Sequence, residues 1–171
     1  RILANSNKMP GAEFFPDAQI NFAENLLADA DNRLAISAHG EDGRITRLTR
    51  AELKQQVLAL AGWLRDHGVT PGDRVAAYTP NCVEAVITML ATASLGAVFS
   101  SCSPDFGLQG VCDRFGQIEP KILIGCDGYH YAGKTIDRMD VLTALADKLP
   151  TVDTVLVIGY LSAHADCSRL P

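Results

Sequence analysis

Apolar residues in this chain follow either a helical period or short continuous runs, separated by turn-forming residues. From Arg50 to His67 the apolar positions recur every three or four residues, which predicts an amphipathic helix, and Gly68 follows as its stop. Further helices are predicted at Asn21–Asp29, Asn81–Leu95, Phe106–Ile118 and Met139–Leu149. Short runs of alternating or continuous apolar residues predict strands at Leu34–His39, Arg44–Thr49, Arg74–Tyr78, Val98–Ser101, Lys121–Gly125 and Thr154–Ile158.

This alternation of strands and helices is typical of an α/β fold, with a mainly parallel sheet flanked by helices. The first two strands are separated only by the turn Gly40–Gly43, so they are predicted to pair as a short antiparallel hairpin near the start. Asn81 is predicted to cap its helix, because its side-chain oxygen can accept a backbone N–H. We divide the chain into an irregular leading segment, 1–17, an α/β subdomain, 18–160, and a tail or linker, 161–171.

Composition narrows the class of protein. The 171 residues are 47% hydrophobic with a net charge of -5, which is typical of a soluble globular protein and not of one that coats DNA or RNA. The apolar stretch Val83–Phe99 is too short and too polar to cross a bilayer, so we expect neither a membrane nor a nucleic acid as partner. The chain opens at Arg1 without a methionine, and we expect it to be a piece of a longer protein.

The cysteines and histidines add no site. The five cysteines contain no Cys-x-x-Cys pair, and their odd number argues against a closed disulfide framework, so a reducing, cytoplasmic location is predicted. The four histidines have no metal-ligand spacing, and no metal site is predicted.

One motif points to phosphate chemistry. Gly128–Thr135 matches the phosphate-loop pattern G-x-x-x-x-G-K-[ST] and follows a predicted strand, which makes a P-loop NTPase one candidate function. Against it, Tyr129–Tyr131 puts bulky side chains where phosphates would lie, and the last strand, Val155–Ile158, does not end in the aspartate that would hold Mg²⁺. The plainer interpretation makes Gly128 and Gly133 turn residues and the lysine a solvated charge.

Other runs resemble a known family. The segment Gly68–Ala76, together with Pro80–Asn81 and Gly96–Val98, resembles the amino-terminal subdomain of the adenylate-forming acyl-CoA synthetases, and the resemblance extends over 18–160. Several longer runs resemble the acetoacetyl-CoA synthetase branch of this family. They are Met9–Ala12, Phe15–Pro16, Asn21–Leu27, Ser100–Gly107 and Arg114–Lys121. The related acetyl-CoA synthetase branch carries a Phe-Gly-Gly-Phe insert before the corresponding Ser-Pro, and this chain lacks it.

The resemblance implies a function for the longer protein. It would be an ATP-dependent acetoacetate:CoA ligase, which uses ATP, Mg²⁺ and CoA to make acetoacetyl-CoA, AMP and diphosphate. The family's catalytic motifs do not occur in this chain, so it holds no catalytic residue, is expected to be inactive alone, and is expected to bind none of these molecules tightly. Another short-chain ligase, such as an acetyl-CoA synthetase, and a non-catalytic binding domain remain alternatives.

The resemblance also implies site residues. In acetyl-CoA synthetases the loop corresponding to 127–136 carries two arginines that reach phosphates of CoA, and Tyr131 and Lys134 stand at those places here. Lys134 keeps a cation, whereas Tyr131 offers a hydroxyl or a stacking face. The small polar residues Ser100, Ser101, Cys102 and Ser103 follow a predicted strand and are candidates for lining a substrate crevice. Apolar faces left uncovered are expected to make the chain self-associate.

Overall fold

All 171 residues are described in a computed structural model of the chain. The strands are β1 (Leu3–Ala4), β2 (Glu13–Phe14), β3 (Leu34–His39), β4 (Ile45–Thr49), β5 (Arg74–Tyr78), β6 (Val98–Cys102), β7 (Ile122–Cys126), β8 (Gly128–Tyr131), β9 (Lys134–Asp137) and β10 (Thr154–Ile158). The helices are α1 (Phe22–Leu26), α2 (Arg50–Asp66), α3 (Val83–Ser94), α4 (Leu108–Ile118) and α5 (Met139–Lys148).

The main sheet has four strands in the order β10-β7-β5-β6, and every neighbouring pair is parallel. Its two central strands are buried almost throughout, as their continuous apolar sequences require when both faces of a sheet are covered. The predicted α/β class with a mainly parallel sheet is therefore confirmed.

Helices cover the two faces of this sheet separately. Helices α1, α2 and α3 pack on one face, where Val57, Leu64 and Ile87 meet Val75 and Ile124 of the central strands. Helices α4 and α5 pack on the other face around Tyr78 and Leu123. From β5 the chain passes through α3 to β6, which pairs with one edge of β5. It then passes through α4 to β7, which pairs with the other edge of β5, so the direction in which strands are added reverses between β5 and β7.

Helix α2 follows its sequence signals closely. Thr49 caps its first turn, and the Glu52 carboxylate accepts the Thr49 backbone N–H in return, which completes a capping box. At the other end Gly68 has a φ of 76°, a left-handed conformation that ends the helix as predicted.

Two other helix starts differ from prediction. Helix α3 begins at Val83 with Cys82 at the N-cap and no side-chain cap, so the prediction that Asn81 caps it is wrong. The Cys82 N–H instead donates to the Pro80 carbonyl at 2.9 Å and closes a tight turn. Asn81 lies inside this turn, one residue before the N-cap position. Helix α4 begins at Leu108 because the carbonyl of Phe106 accepts a hydrogen bond from Tyr78 and belongs to the preceding loop.

The remaining strands form small antiparallel pairs. Strands β3 and β4 form the predicted hairpin, and β8 pairs with β9 in another. The leading segment holds one short pair, β1 with β2, and is otherwise irregular, while the tail 161–171 contains no helix or strand. No helix combines the length and the apolar character needed to cross a membrane.

Candidate functional site

The four parallel strands all end at one edge of the main sheet. Thr79, Ser103, Asp127 and Gly159 each follow a strand end there. In open α/β sheets, ligands bind outside the carboxyl ends of the strands, where the strand order reverses. This carboxyl edge, between β5 and β7, is therefore the candidate site.

The segment with the phosphate-loop pattern lies at this edge, but it is a β-hairpin. Strand β8 pairs antiparallel with β9, in the register that sets Gly128 opposite Asp137 and Tyr131 opposite Lys134. A phosphate loop leads into a helix whose N-terminus faces the phosphate, whereas Lys134 here begins a strand. The P-loop interpretation is therefore contradicted by the structure.

The two motif glycines serve the hairpin. Ala132 and Gly133 have φ values of 49° and 73°, the left-handed pair that a two-residue hairpin turn of type I′ requires. Gly133 is thus a turn glycine, as the plainer interpretation holds. Gly128 is not: it lies in a strand, where a Cβ would collide with the backbone oxygen of Ile136.

Tyr131 and Lys134 come together because they flank this turn. They are direct cross-strand partners, so their side chains leave the same face of the hairpin with Cβ atoms about 5 Å apart. Both side chains are exposed, Tyr131 at 55%. The Ala132 N–H between them donates to Glu41 Oε2 at 2.9 Å, which ties the hairpin tip to the turn between β3 and β4.

A second contact with that turn comes from the opposite face of the hairpin. His130 Nε2 lies 3.8 Å from Asp42 Oδ2, and its Nδ1 is 3.2 Å from the Thr135 hydroxyl. Hydrogen bonds from Arg44 hold the pKa of the Asp42 carboxyl below its usual value. The tip is therefore held against charged groups on the first hairpin.

Hydrogen bonds also hold the base of the hairpin, against the loop that follows β6. The buried Tyr129 donates its hydroxyl to Asp105 Oδ1 at 2.5 Å. Arg138, directly after β9, donates to the Pro104 carbonyl at 2.9 Å and lies 3.4 Å from the Tyr129 oxygen. Burial, and then the bond to Asp105, raise the pKa of Tyr129, so its hydroxyl stays protonated and donates at neutral pH.

Tyr78, at the end of β5, also holds the loop that follows β6. Its hydroxyl lies 2.8 Å from the Pro104 carbonyl and 3.0 Å from that of Phe106, and burial raises the pKa of Tyr78 to about 12. Sequence reasoning missed Tyr78, Asp105, Tyr129 and Arg138. The available signal was weak: a tyrosine ending a buried strand, and an acidic residue after a Ser-Pro pair.

The residues predicted to line a crevice are only partly brought together. Ser101, Cys102 and Ser103 line a cavity of about 340 Å³ beside α3, whereas Ser100 does not line it. The other lining residues are Thr79, Pro80, Asn81, Ala85, Val86, Met89 and Phe99. Burial raises the pKa of the Cys102 thiol, so this cysteine is a wall residue and a poor nucleophile.

Asp127 is a further residue that sequence reasoning missed. It is buried at the end of β7, where its carboxylate accepts the backbone N–H groups of Tyr160, Leu161 and Ser162 at 2.8, 2.9 and 2.8 Å. These bonds fold the chain sharply after β10, across the carboxyl edge. No group of three or more His, Cys, Asp or Glu side chains is arranged to hold a metal ion.

Comparison with known proteins gives a consistent set of similarities. Residues 23–168 match the family described as AMP-binding enzyme. The acetoacetyl-coenzyme A synthetase of Rhizobium meliloti (strain 1021) is 51% identical over 154 residues, covering 89% of this chain and 24% of that protein. The acetoacetyl-CoA synthetase of Gallus gallus is 42% identical over 163 residues, covering 93% of this chain and 24% of that protein.

The fold has a solved counterpart as well. The structure of acetoacetyl-CoA synthetase from Streptomyces lividans matches with a TM-score of 0.85 and 44% identity, over 96% of this chain and 26% of that one. The chain thus spans about a quarter of the length of the curated relatives it matches.

Proposed function

Because this chain belongs to the AMP-binding enzyme family, we propose that it is the amino-terminal part of an acetoacetate:CoA ligase. The names of its relatives support acetoacetate as the acyl substrate, and they favour it over acetate. All five cysteines are free thiols, which suits a reducing compartment such as the cytoplasm.

The reaction would have two steps. The acetoacetate carboxylate attacks the α-phosphorus of ATP and releases diphosphate, and the CoA thiol then displaces AMP from the acyl-adenylate. Mg²⁺ would offset phosphate charge in the first step. For this chain we propose a part in binding and orienting these substrates.

The observation that carries a binding role is the Tyr131–Lys134 pair. An exposed ammonium group and an exposed phenol leave the same face of a hairpin that hydrogen bonds hold at the carboxyl edge. Lys134 can pair with a phosphate as a compact cation, and Tyr131 can stack or donate a hydrogen bond beside it. We assign this pair to a phosphate group of CoA.

The cavity beside α3 is a second part of the proposal. Ser101 and Ser103 bring hydroxyl groups to a wall that also contains Met89 and Phe99. Such a mixture of apolar surface and a few polar groups is typical of small-molecule sites. We assign these residues, with Cys102, to the substrate crevice, whereas Ser100 lies outside the lining of this cavity.

The role of Lys134 can be tested in the complete ligase that contains this chain. Lys134→Ala is expected to raise the KM for CoA roughly three- to tenfold, the range that corresponds to the net contribution of one solvent-exposed hydrogen bond. Lys134→Arg keeps the cation and should stay near the wild-type KM. Lys148→Ala, at the end of α5, is the matched control for loss of one exposed lysine.

Two outcomes would contradict the proposal. An unchanged KM for CoA in Lys134→Ala removes the CoA-phosphate assignment. A complete protein that forms no acetoacetyl-CoA from acetoacetate, ATP and CoA removes the ligase assignment itself.

A further inference from the structure

We infer that Asp105, Tyr129 and Arg138 form a positioning cluster that sets where Lys134 and Tyr131 stand relative to the crevice. The cluster joins the hairpin β8–β9 to the loop after β6, which carries Ser103. This inference rests on the proposed function of that hairpin. The role of these three side chains would be to orient CoA for the second step of the reaction.

The register of the hairpin provides the mechanical connection. Tyr129 lies opposite Ile136, and Tyr131 lies opposite Lys134, two residues further along each strand. Residues two apart in a strand share a face, so Tyr129 stands on the face that carries Tyr131 and Lys134. The intervening pair, His130 with Thr135, lies on the other face. Any tilt of Tyr129 is therefore passed directly to the proposed CoA-binding pair.

The cluster fixes both strands of the hairpin. Tyr129 holds β8 through its 2.5 Å hydrogen bond to Asp105. Arg138 holds the end of β9 through two contacts, its side chain on the Pro104 carbonyl at 2.9 Å and its backbone N–H on the Asp127 carbonyl at 2.8 Å. With both strands fixed at the base, the hairpin cannot pivot on one of them.

The other end of the cluster fixes the crevice wall. Asp105 Oδ2 accepts the Ser103 hydroxyl at 3.0 Å, so the carboxylate that receives Tyr129 also orients a residue of the proposed crevice. One carboxylate thus helps to set the spacing between the crevice and the CoA-binding hairpin. That spacing governs the approach of the CoA thiol to the acyl-adenylate, because displacement requires the reacting atoms to lie about 3 Å apart.

The test separates positioning from simple stability, and it uses the complete ligase. Tyr129→Phe removes only the hydroxyl group and is expected to raise the KM for CoA about three- to tenfold. The rate of acetoacetate-dependent exchange between ATP and diphosphate, which reports the first step alone, should keep its wild-type value. Tyr160→Phe is the matched control, since the Tyr160 hydroxyl makes no hydrogen bond and the substitution retains the ring that packs against Arg44.

A conservative pair at Asp105 gives a second measurement. Asp105→Asn keeps an oxygen that can accept the Tyr129 hydroxyl, so its KM for CoA should lie closer to wild type than that of Asp105→Ala. Hydrogen exchange of the hairpin amides should be faster in Tyr129→Phe and in Asp105→Ala than in Asp105→Asn.

The outcomes distinguish this inference from the proposed function. If Lys134→Ala raises the KM for CoA while Tyr129→Phe leaves it unchanged, the hairpin binds CoA but the cluster does not position it. If Tyr129→Phe lowers both half-reactions equally, its role is stability alone and the inference is overturned. If Lys134→Ala has no effect on the KM for CoA, the proposed function of the hairpin is wrong, and the inference that rests on it is overturned with it.

Discussion

At the carboxyl edge of the sheet, the role of a single residue can differ from the role that its neighbours in the sequence suggest. Asp127 follows an apolar strand, a place where a carboxylate is often a ligand for a metal or a nucleotide. In the structure both of its oxygens are used by backbone N–H groups of the turn after β10. Its partners lie more than thirty residues further along the chain, so no local pattern could identify this role.

Removal of this carboxylate should be costly. Asp127→Ala would remove three partly buried hydrogen bonds to backbone N–H groups, and we expect the free energy of unfolding to fall by roughly 3 kcal/mol. Urea denaturation monitored by circular dichroism measures this, and Asp127→Asn should lose less. Asp147→Ala, an exposed position on α5, is the control. Equal stability of Asp127→Ala and wild type would show that water replaces the carboxylate without cost.

The motif residues show what sequence can and cannot establish at this scale. A phosphate-related role for Lys134 could be proposed from its neighbours, and it stays a prediction. The pairing of Lys134 with Tyr131 could not be predicted, because it depends on the turn conformation of Ala132 and Gly133. Likewise, Gly128 is required by the close approach of the Ile136 backbone, a contact across strands that the pattern does not encode.

At the scale of elements, local signals predicted boundaries well where a cap and a stop were both present. Helix α2 starts at a Thr-x-x-Glu capping box and ends before Gly68, and both features are visible in the sequence. Helix α3 lacks a side-chain cap, so its start depends on the turn at Pro80 and on packing against the sheet. The hairpin β8–β9 was missed because the same Gly-x-x-x-x-Gly-Lys-Thr letters that suggest a phosphate loop also fit a hairpin with a type I′ turn at Ala132 and Gly133.

The capping box predicts a pH-dependent contribution to stability. Hydrogen bonds from the backbone and side chain of Thr49 lower the pKa of Glu52 below its ordinary value of 4.5. A carboxyl group with a depressed pKa in the folded state stabilises the fold above the unfolded-state pKa, and this contribution is lost as the pH falls through the folded-state pKa. We therefore expect Glu52→Gln to lower stability at pH 7 but to match wild type once the pH lies below the folded-state pKa of Glu52.

The measurement is thermal unfolding of wild type and of Glu52→Gln, from pH 7 down into the acid range, and the quantity compared is the midpoint temperature. Glu13→Gln, an exposed carboxylate in the leading segment, controls for the general loss of one negative charge. A difference between wild type and Glu52→Gln that persists at the acid end would show that the capping box acts through something other than the ionised carboxylate.

At the scale of the whole molecule, the alternation of strands and helices was enough to predict the fold class. The order of strands in the sheet was not predictable, since it depends on which face each crossover helix covers. Large apolar side chains also remain uncovered. Leu26 and Leu34, exposed at 57% and 56%, line an apolar groove of about 430 Å³ between α1, β3 and α3.

This groove supports the prediction that the chain associates with itself. Burial of the exposed leucine side chains against another copy removes apolar surface from water, at about 25 cal/mol per Å². Leu26→Lys is expected to shift the chain toward monomer in sedimentation velocity at micromolar concentration. Leu58→Lys, equally exposed at 57% on α2 but outside the groove, should associate like wild type. A wild-type chain that stays monomeric throughout would contradict the prediction.

The central position of β5 has a consequence for synthesis on the ribosome. This strand is the earliest of the main sheet to be made, yet both of its partners, β6 and β7, come later in the chain. When β5 leaves the exit tunnel its apolar side chains and both hydrogen-bonding edges are bare, and one edge stays bare until residue 126 has emerged. A nascent chain paused before that point would be a natural client for chaperones.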